Sequence, residues 1–167
     1  MSEGAEKGGE TPDRYRYAVV PNIRVADAAA AIDFYQRAFG AREDVRVDAP
    51  GGGVLHAEIS IGPSVLMLGD SDGEDGGDGG EGGGGAFRAP SALGGTSVAL
   101  HVFVDDVDAL AARAEEAGAE ILQPPTDTFH GDRTVILRDP SGHQWVFLTH
   151  QEDVADEELG GRLAAEG

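Results

Sequence analysis

Two stretches of the chain repeat the same order of apolar and polar positions. A short β-type run, Asn22–Asp27, precedes an amphipathic run over Ala28–Ala41, and His101–Asp106 precedes Val107–Glu120 in the same way. Each amphipathic run carries one apolar stripe at helical spacing. Each helix is predicted to end at a Gly-Ala pair, where glycine suits a left-handed C-cap. The pattern therefore predicts a strand followed by a helix, twice.

Three further strands are predicted after each helix. They cover Asp44–Asp48, Val54–Ile61 and Ser64–Leu68 in the first half, and Glu120–Gln123, Thr134–Arg138 and His143–Thr149 in the second. Val25 aligns with Val104 and Met67 with Val146 at the same offset of 79 residues, so the repeat keeps its register. A repeated unit that cannot close its own core indicates that the two copies pack together. The predicted fold class is α+β, with two βαβββ modules over residues 16–69 and 97–150.

Composition sets the two modules apart from the rest of the chain. Residues 1–15 are polar and predict a disordered leader, and residues 151–167 predict an acidic tail or short helix. Residues 70–96 predict an acidic, glycine-rich linker of which at least 73–85 is mobile, because this composition cannot offset the entropy lost on ordering. The chain has no cysteine, which excludes disulfides, thiolate catalysis and zinc-thiolate sites.

Charge and hydropathy limit the expected partners. The formal net charge of −19 disfavours a nucleic-acid partner, since phosphate binding needs a cationic surface. No apolar run reaches the ~20 residues of a membrane span, and the first residues lack the apolar centre of a signal peptide. We therefore expect a cytoplasmic protein with no membrane partner, whose acidic segments serve solubility or attract a cationic ligand.

Several stretches resemble one known superfamily. The clearest are IRVADAAAAIDFYQRAFGA (residues 23–41) and LRDPSGHQWVFLTH (residues 137–150), joined by HAEISIGPSVLMLGD and LHVFVDDVDAL. They resemble the vicinal oxygen chelate (glyoxalase/bleomycin resistance/dioxygenase) superfamily, and within it the PhnB-like, glyoxalase-like subgroup. The resemblance implies a mixed sheet curved into a half-barrel with helices on its outer face and a small-molecule ligand on its inner face. It also implies a homodimer, since members commonly dimerise and some exchange modules between chains.

The resemblance does not extend to the metal site. Metal-dependent members carry four inward ligands, usually His, Glu, His and Glu. By register these positions fall on Val20, Met67, Ala99 and Val146, none of which can bind a hard or borderline divalent cation. This departure argues against glyoxalase I chemistry, fosfomycin thiol transfer and extradiol cleavage, and no cofactor is predicted.

Side-chain alternation along the strands predicts which residues face the cavity. Leu55, Ala57 and Ile59 are predicted to face the helix, which points His56 and Glu58 into the cavity. The same argument applied to every strand gives the side chains predicted to bind a ligand: His56, Glu58, Met67, His101, Phe103, Thr134, Arg138 and Gln144.

Two functions from different classes fit these predictions. One is a metal-independent binding protein that sequesters a small molecule such as a drug. The other is a glyoxalase-like enzyme that acts on a small polar metabolite, with Glu58 as base and His56 or His101 as acid. In that enzyme Arg138 would bind a carboxylate or an oxyanion. Two alternatives stay open for His56, Glu58 and His101: an atypical divalent metal site, or hydrogen-bonded groups that order the sheet.

The stretch FHGDRTVILRDPSGHQWVFLTH holds three of the five histidines. Its Asp139-Pro140-Ser141-Gly142 segment lies between two apolar runs and predicts a tight turn between strands. His143 at the turn and His150 at the strand end are predicted to be solvated or capping residues. Phe129 and the histidine after it precede this hairpin, where they are predicted either to cover the pocket or to plug the half-barrel.

Overall fold

The computed structural model describes residues 11–16, 18–71 and 87–165. Within these ranges a 3-10 turn at Asp13–Tyr15 precedes eight strands and four helices. In chain order they are β1 Asn22–Val25, α1 Ala28–Phe39, β2 Arg42–Asp48, β3 Val54–Ile61, β4 Ser64–Asp70, α2 Pro90–Leu93, β5 Ala99–Phe103, α3 Val107–Ala117, β6 Glu120–Asp127, β7 Asp132–Arg138, β8 Gln144–His150 and α4 Asp156–Ala165. None of these helices is long and apolar enough to cross a membrane.

The two long helices begin and end at the residues that the sequence favours. The Asp27 carboxylate caps α1 by accepting a hydrogen bond from the backbone N–H of Ala30, and Asp106 caps α3 in the same way. Gly40 and Gly118 end the helices in the left-handed conformation, with φ of 69° and 111°. Both helices are therefore two or three residues shorter than predicted, because the chain after each glycine already enters the next strand.

The strands form two four-stranded mixed sheets, one in each module. Sheet A has the order β1-β4-β3-β2 and sheet B the order β5-β8-β7-β6. The parallel pairs keep the repeat of the sequence, since Asn22 pairs with Met67 as His101 pairs with Val146, both related by 79 residues. The predicted α+β fold with two βαβββ modules is confirmed, and the sheets are curved without closing into a barrel.

One core joins the two modules. Helix α1 packs against α3, and the buried residues of both helices and both sheets form a single cluster. Aromatic side chains meet directly across the module boundary: the ring centroids of Phe39 on α1 and Trp145 on β8 are 4.9 Å apart, and those of Phe39 and Phe147 are 4.7 Å apart. The helices therefore cover one face of each sheet, which leaves a helix-free face on each for other contacts.

A buried carboxylate stabilises the boundary between the modules through hydrogen bonds. Asp139, at the start of the predicted tight turn, is 4% exposed and accepts hydrogen bonds from Tyr35 Oη at 2.6 Å and Trp145 Nε1 at 3.0 Å. The backbone N–H groups of Ser141 and His143 donate to its other oxygen. Burial, followed by the charge of Asp139, raises the pKa of Tyr35 well above its ordinary value, so the phenol stays protonated and remains a donor.

The ends of the modules differ from their predicted limits. The last residues of the predicted leader form the 3-10 turn Asp13–Tyr15, so the leader prediction is wrong for these three residues. Asp70, predicted as the first residue of the linker, ends β4, and its carboxylate accepts hydrogen bonds of 2.6 Å from the backbone N–H groups of Ala28 and Val54. The predicted mobile segment 73–85 lies outside the described residues.

One of the predicted core positions is wrong. Ala57 and Ile59 are fully buried as expected, but Leu55 is 59% exposed. Val47 on β2 pairs with His56 and the next residue pairs with Val54, so Leu55 is an extra residue without a partner on β2. Such a bulge interrupts the alternation of the strand, and Val54 takes the buried position in its place.

Candidate functional site

On the helix-free face of sheet A, the predicted cavity residues His56 and Glu58 lie together. His56 Nε2 is 3.5 Å from Glu58 Oε1, and the Glu58 side chain is 12% exposed. The residues that cover Glu58 come from the 3-10 turn: Tyr15 donates a hydrogen bond to Glu58 Oε2, and Arg14 Nη2 lies 3.3 Å from the same oxygen. The hydrogen bond to Glu58 is the main cause of a raised pKa at Tyr15.

Sequence analysis missed Arg14 and Tyr15. The signal available was the alternation of cations and aromatic residues in DRYRY (residues 13–17), immediately before the first module. The Arg14 guanidinium stacks 4.6 Å from the centroid of the Tyr15 ring, a cation–π contact that holds the two side chains together over Glu58. Two of the predicted ligand-binding side chains of sheet A are thus already engaged within the chain.

A second polar pair lies on the same sheet. Ser60 Oγ donates to Asp44 on the neighbouring strand, and Arg42 Nε donates to the other oxygen of Asp44 at 2.7 Å. These two hydrogen bonds, that of Ser60 first, lower the pKa of Asp44. Met67, the remaining predicted residue of sheet A, is half-buried and pairs with Glu58 on β3. The polar side chains of this face thus bond mainly to one another.

The helix-free face of sheet B is different in character. Phe103 is 65% exposed and His101 is also exposed. Their partners on the neighbouring strand β8, Leu148 and Val146, are buried and form an apolar floor beside them. Thr134 is 6% exposed, and its hydroxyl has no hydrogen-bond partner within the described residues. This face therefore offers an apolar surface, with the Thr134 hydroxyl buried beneath it.

Two cavities hold four of the five predicted residues of sheet B, all except Thr134. The larger, of about 1010 Å³, lies between the start of β1, the β3–β4 turn and β5, and we call it the large cavity; the side chains that define it are Val20, Phe39, Val65, His101, Phe103 and Trp145. Arg138 and Gln144 line a separate cavity of about 610 Å³ at the other end of sheet B. There Arg138 Nη1 binds Glu120 Oε2 at 2.8 Å, so its charge is already paired.

The structure therefore does not bring the proposed acid, base and clamp together in one chain. His56 and Glu58 lie on sheet A, whereas His101 lies on the edge strand β5 of sheet B and Arg138 on β7, with β8 between them. Among the described residues no group of three or more His, Asp or Glu side chains converges as a metal site would require. The predicted alternative of an atypical metal bound by His56, Glu58 and His101 finds no support in these positions.

The histidines of the second hairpin form more hydrogen bonds within the protein than predicted. His143 is half-buried, and its Nε2 donates to the Arg24 carbonyl oxygen at 2.7 Å, which ties the turn of sheet B to strand β1. His150 Nδ1 lies 2.8 Å from Asp132 Oδ1 and its Nε2 lies 3.1 Å from Asp153 Oδ1. Of the two predicted roles, solvated or capping, His143 therefore has the second, since its ring binds a backbone carbonyl, whereas His150 is an exposed histidine that bridges two carboxylates.

The His150 bridge predicts a specific pH dependence of stability. The hydrogen bond to Asp132 is the main cause of a raised pKa at His150, so the folded protein holds this proton more tightly than the unfolded chain. The stabilisation is fully present below the unfolded pKa of about 6.5 and is lost as the pH rises through the folded pKa. Urea denaturation at several pH values should show that the advantage of the native protein over His150→Gln is largest near about pH 5.5 and shrinks towards about pH 8.5.

His101→Gln is the matched control for this measurement. His101 is exposed, and within the described ranges no carboxylate lies within ion-pairing distance of it. This variant therefore removes an imidazole without removing a bridge to a carboxylate. Equal pH profiles for the two variants would show that the Asp132–His150 bridge does not form in solution.

Comparison with known proteins gives one family and several relatives. The model of the Glyoxalase/Bleomycin resistance protein/Dioxygenase superfamily matches residues 16–147. The uncharacterized protein Rv0887c of Mycobacterium tuberculosis (strain ATCC 25618 / H37Rv) is 38% identical over 150 residues, which cover 90% of this chain and 84% of that protein. The uncharacterized protein Mb0911c of Mycobacterium bovis is similar at the same identity, with 94% of its length covered.

Solved structures agree with the family match. TioX from Micromonospora sp. ML1 is 30% identical with a TM-score of 0.62, and the match covers 78% of this chain and 96% of TioX. A glyoxalase-related enzyme from Fulvimarina pelagi has a TM-score of 0.58 at 22% identity, covering 81% of this chain and 88% of that one, and shares the fold.

Proposed function

Because the chain belongs to the Glyoxalase/Bleomycin resistance protein/Dioxygenase superfamily, we propose that it binds a small molecule in the large cavity and on the adjoining face of sheet B. The binding needs no metal, and its role is to sequester a drug-like compound. The observation that carries this proposal is the cavity of about 1010 Å³, which is walled mainly by apolar side chains and has the exposed Phe103 ring at its edge. A concave, largely apolar site with few polar groups is the usual form of a small-molecule site.

The positions of the superfamily metal ligands do not fit a metal here. Val20 lines the large cavity, and Met67 and Val146 occupy equivalent places in the two sheets, next to Asn22 and His101. Together with Ala99 these residues offer no imidazole nitrogen or carboxylate oxygen to a divalent ion. The proposal therefore relies on apolar contact and stacking rather than on coordination.

A cationic ligand suits the charge of the protein. The formal net charge of −19 produces a negative potential around the molecule, which raises the local concentration of cations and speeds their association. Phe103 offers an exposed aromatic face for stacking or for a cation–π contact with such a ligand. His101 beside it supplies a hydrogen-bonding group.

The enzyme alternative receives weaker support from the same geometry. It needs Glu58 free to take a proton and Arg138 free to bind an anion. Glu58 is instead bonded to Arg14 and Tyr15, and Arg138 is paired with Glu120. Only the 3.5 Å approach of His56 to Glu58 favours acid–base chemistry.

We further propose that the protein acts as a homodimer. The outer edges of β1 and β5 pair with no other strand of the described chain, and exposed apolar side chains such as Val19, Val98 and Phe103 lie on or beside these edges. A second copy placed over sheet B would cover them and enclose the ligand. Light scattering on the purified protein should therefore give twice the mass of one chain.

A thermal-shift assay with bleomycin as the cationic probe tests the binding proposal. A ligand that binds only the folded state raises the melting temperature, and a concentration of about 100 times Kd adds about 2.7 kcal/mol of stability. We expect a shift that persists in excess chelator and a weakening of about two- to tenfold in Phe103→Ala, since an aromatic contact is worth about 0.5–1.5 kcal/mol.

Leu163→Ala is the control, because Leu163 is an exposed apolar residue of helix α4, away from the cavity. It should bind the probe as the native protein does. A shift that requires zinc or manganese and disappears in Glu58→Gln would overturn the metal-independent proposal and favour the enzyme. The absence of any shift, with bleomycin and with other cationic drugs, would reject drug sequestration.

A further inference from the structure

A third cavity, of about 570 Å³, is lined by cations and by no acid among the described residues, in contrast to the protein as a whole. It lies between β1 and the chain that leads into β5, and we call it the arginine cavity because Arg24 and Arg88 line it. No aspartate or glutamate is among its described lining residues, although the chain has 31 acidic residues against 12 Lys and Arg. A positive cavity on so acidic a protein indicates a site for an anion.

Arg24 is packed on two sides at this cavity. Its guanidinium lies against the bare backbone of Gly69 on one side, and its centre is 5.7 Å from the centroid of the Phe87 ring. No carboxylate of the described chain lies within 4.0 Å of it. Arg14 and Arg138, in contrast, are each paired with a glutamate. An arginine that is packed in this way, with no counter-ion among the described residues, loses less side-chain entropy when it binds an anion than a fully exposed one.

One atom of Arg24 lacks an acceptor altogether. Its Nε is buried and has no hydrogen-bond partner within the described residues. Buried donors are almost always paired, and an unpaired one costs about 1–3 kcal/mol. Nε itself is closed to a molecule the size of water, so an anion in the cavity would bind the terminal nitrogens of the guanidinium, which can hold a carboxylate through two parallel hydrogen bonds.

The remaining lining residues indicate which groups the ligand should have besides its negative charge. Arg88 is exposed, donates to the Ala92 carbonyl oxygen at 3.1 Å, and likewise has no carboxylate partner in the described chain. Asn22 and Gln144 add neutral hydrogen-bonding groups. The rest of the wall is largely apolar or aromatic and includes Phe87 and Leu93, so the ligand body should be planar and apolar.

We propose that the arginine cavity binds an aromatic carboxylate, with its carboxylate on Arg24 and Arg88 and its ring against Phe87. This site goes beyond the proposed function, because it takes an anion where the large cavity is proposed to take a cation. The two cavities share only Pro21 and Leu100 in their walls, so each can be tested alone.

Isothermal titration with benzoate tests the proposal, with benzamide as a neutral probe of the same shape and inorganic phosphate as an anion without a ring. We expect benzoate to bind at least about tenfold more tightly than benzamide and to weaken as sodium chloride is added. Arg24→Gln should weaken benzoate at least about tenfold, Arg88→Gln several-fold, and Phe87→Ala should weaken benzoate and benzamide alike.

Arg113→Gln is the matched control, since Arg113 is an exposed arginine of α3 and lies away from the arginine cavity. It should leave benzoate binding unchanged, and so should Phe103→Ala, which removes the proposed drug contact. Arg88→Gln changes an exposed side chain, so its effect can be read even if Arg24→Gln folds poorly. Equal affinities for benzoate and benzamide, or equal effects of Arg88→Gln and Arg113→Gln, would overturn the proposal. Tighter binding of phosphate than of benzoate would overturn the assigned ligand class.

Discussion

Replacing Asp139 by alanine should lower the free energy of unfolding by about 3–5 kcal/mol. The change removes the shared acceptor of four donors: the Tyr35 hydroxyl, the Trp145 indole N–H and two backbone N–H groups of the turn. Each donor left buried without an acceptor costs about 1–3 kcal/mol, and water that enters the space recovers part of the total. Since small domains are stable by only about 5–15 kcal/mol, this variant should be close to unfolding. Urea denaturation followed by far-UV circular dichroism measures the loss.

Two further variants locate the effect. Asp105→Ala removes an exposed aspartate and should change stability by no more than about 0.5 kcal/mol. Tyr35→Phe removes one donor of the network and should cost about 1–2 kcal/mol. Because both groups share one hydrogen bond, the double variant Tyr35→Phe with Asp139→Ala should cost less than the sum of the two single variants. Strict additivity would show that the Tyr35–Asp139 bond contributes nothing to joining the modules.

Gly69→Ala should destabilise the protein by about 1–3 kcal/mol through overpacking in the middle of sheet A. A Cβ atom at this position would stand 2.6 Å from the Leu55 carbonyl oxygen and closer still to Arg24 Nη1. The first contact is with backbone, which cannot rotate away, so β3 and β4 would have to separate locally. Chemical denaturation should show a lower midpoint for this variant than for the native chain.

The contribution of Arg24 to that cost can be isolated. In an Arg24→Ala background the side-chain contact is gone and the contact with Leu55 remains, so Gly69→Ala should cost less than in the native protein, though still a measurable amount. Gly51→Ala is the control, because nothing lies within 4 Å of the added methyl group and Gly51 does not have a positive φ. It should be neutral or slightly stabilising. An equal midpoint for Gly69→Ala and Gly51→Ala would contradict the close packing of Arg24 on β4.

The repeat made most of the fold predictable from the sequence. The offset of 79 residues that aligns Met67 with Val146 reappears in the observed strand pairs, because duplicated pairings keep their spacing. The caps at Asp27 and Asp106 and the glycines after the helices are local signals, and local signals fix where a helix begins and ends. Burial of Ala57 followed from strand alternation alone.

The site was less predictable because its contacts join distant parts of the chain. Glu58 is bonded to residues 43 and 44 positions earlier, and no pattern within a strand reveals such a partner. His143 reaches the carbonyl of Arg24 in the other module, 119 residues away. Leu55 was misplaced because a bulge depends on the partner strand, whereas alternation is read from one strand alone.

The module boundary also contains a natural fluorescent probe. Trp145 is the single tryptophan of the chain, it is 2% exposed, and its ring touches Tyr35 and Phe39 of the other module. Its fluorescence therefore senses whether α1 is docked on sheet B, whereas ellipticity senses the helices and strands themselves. A red shift of emission that precedes the loss of ellipticity during denaturation would mean that the modules part before either one unfolds.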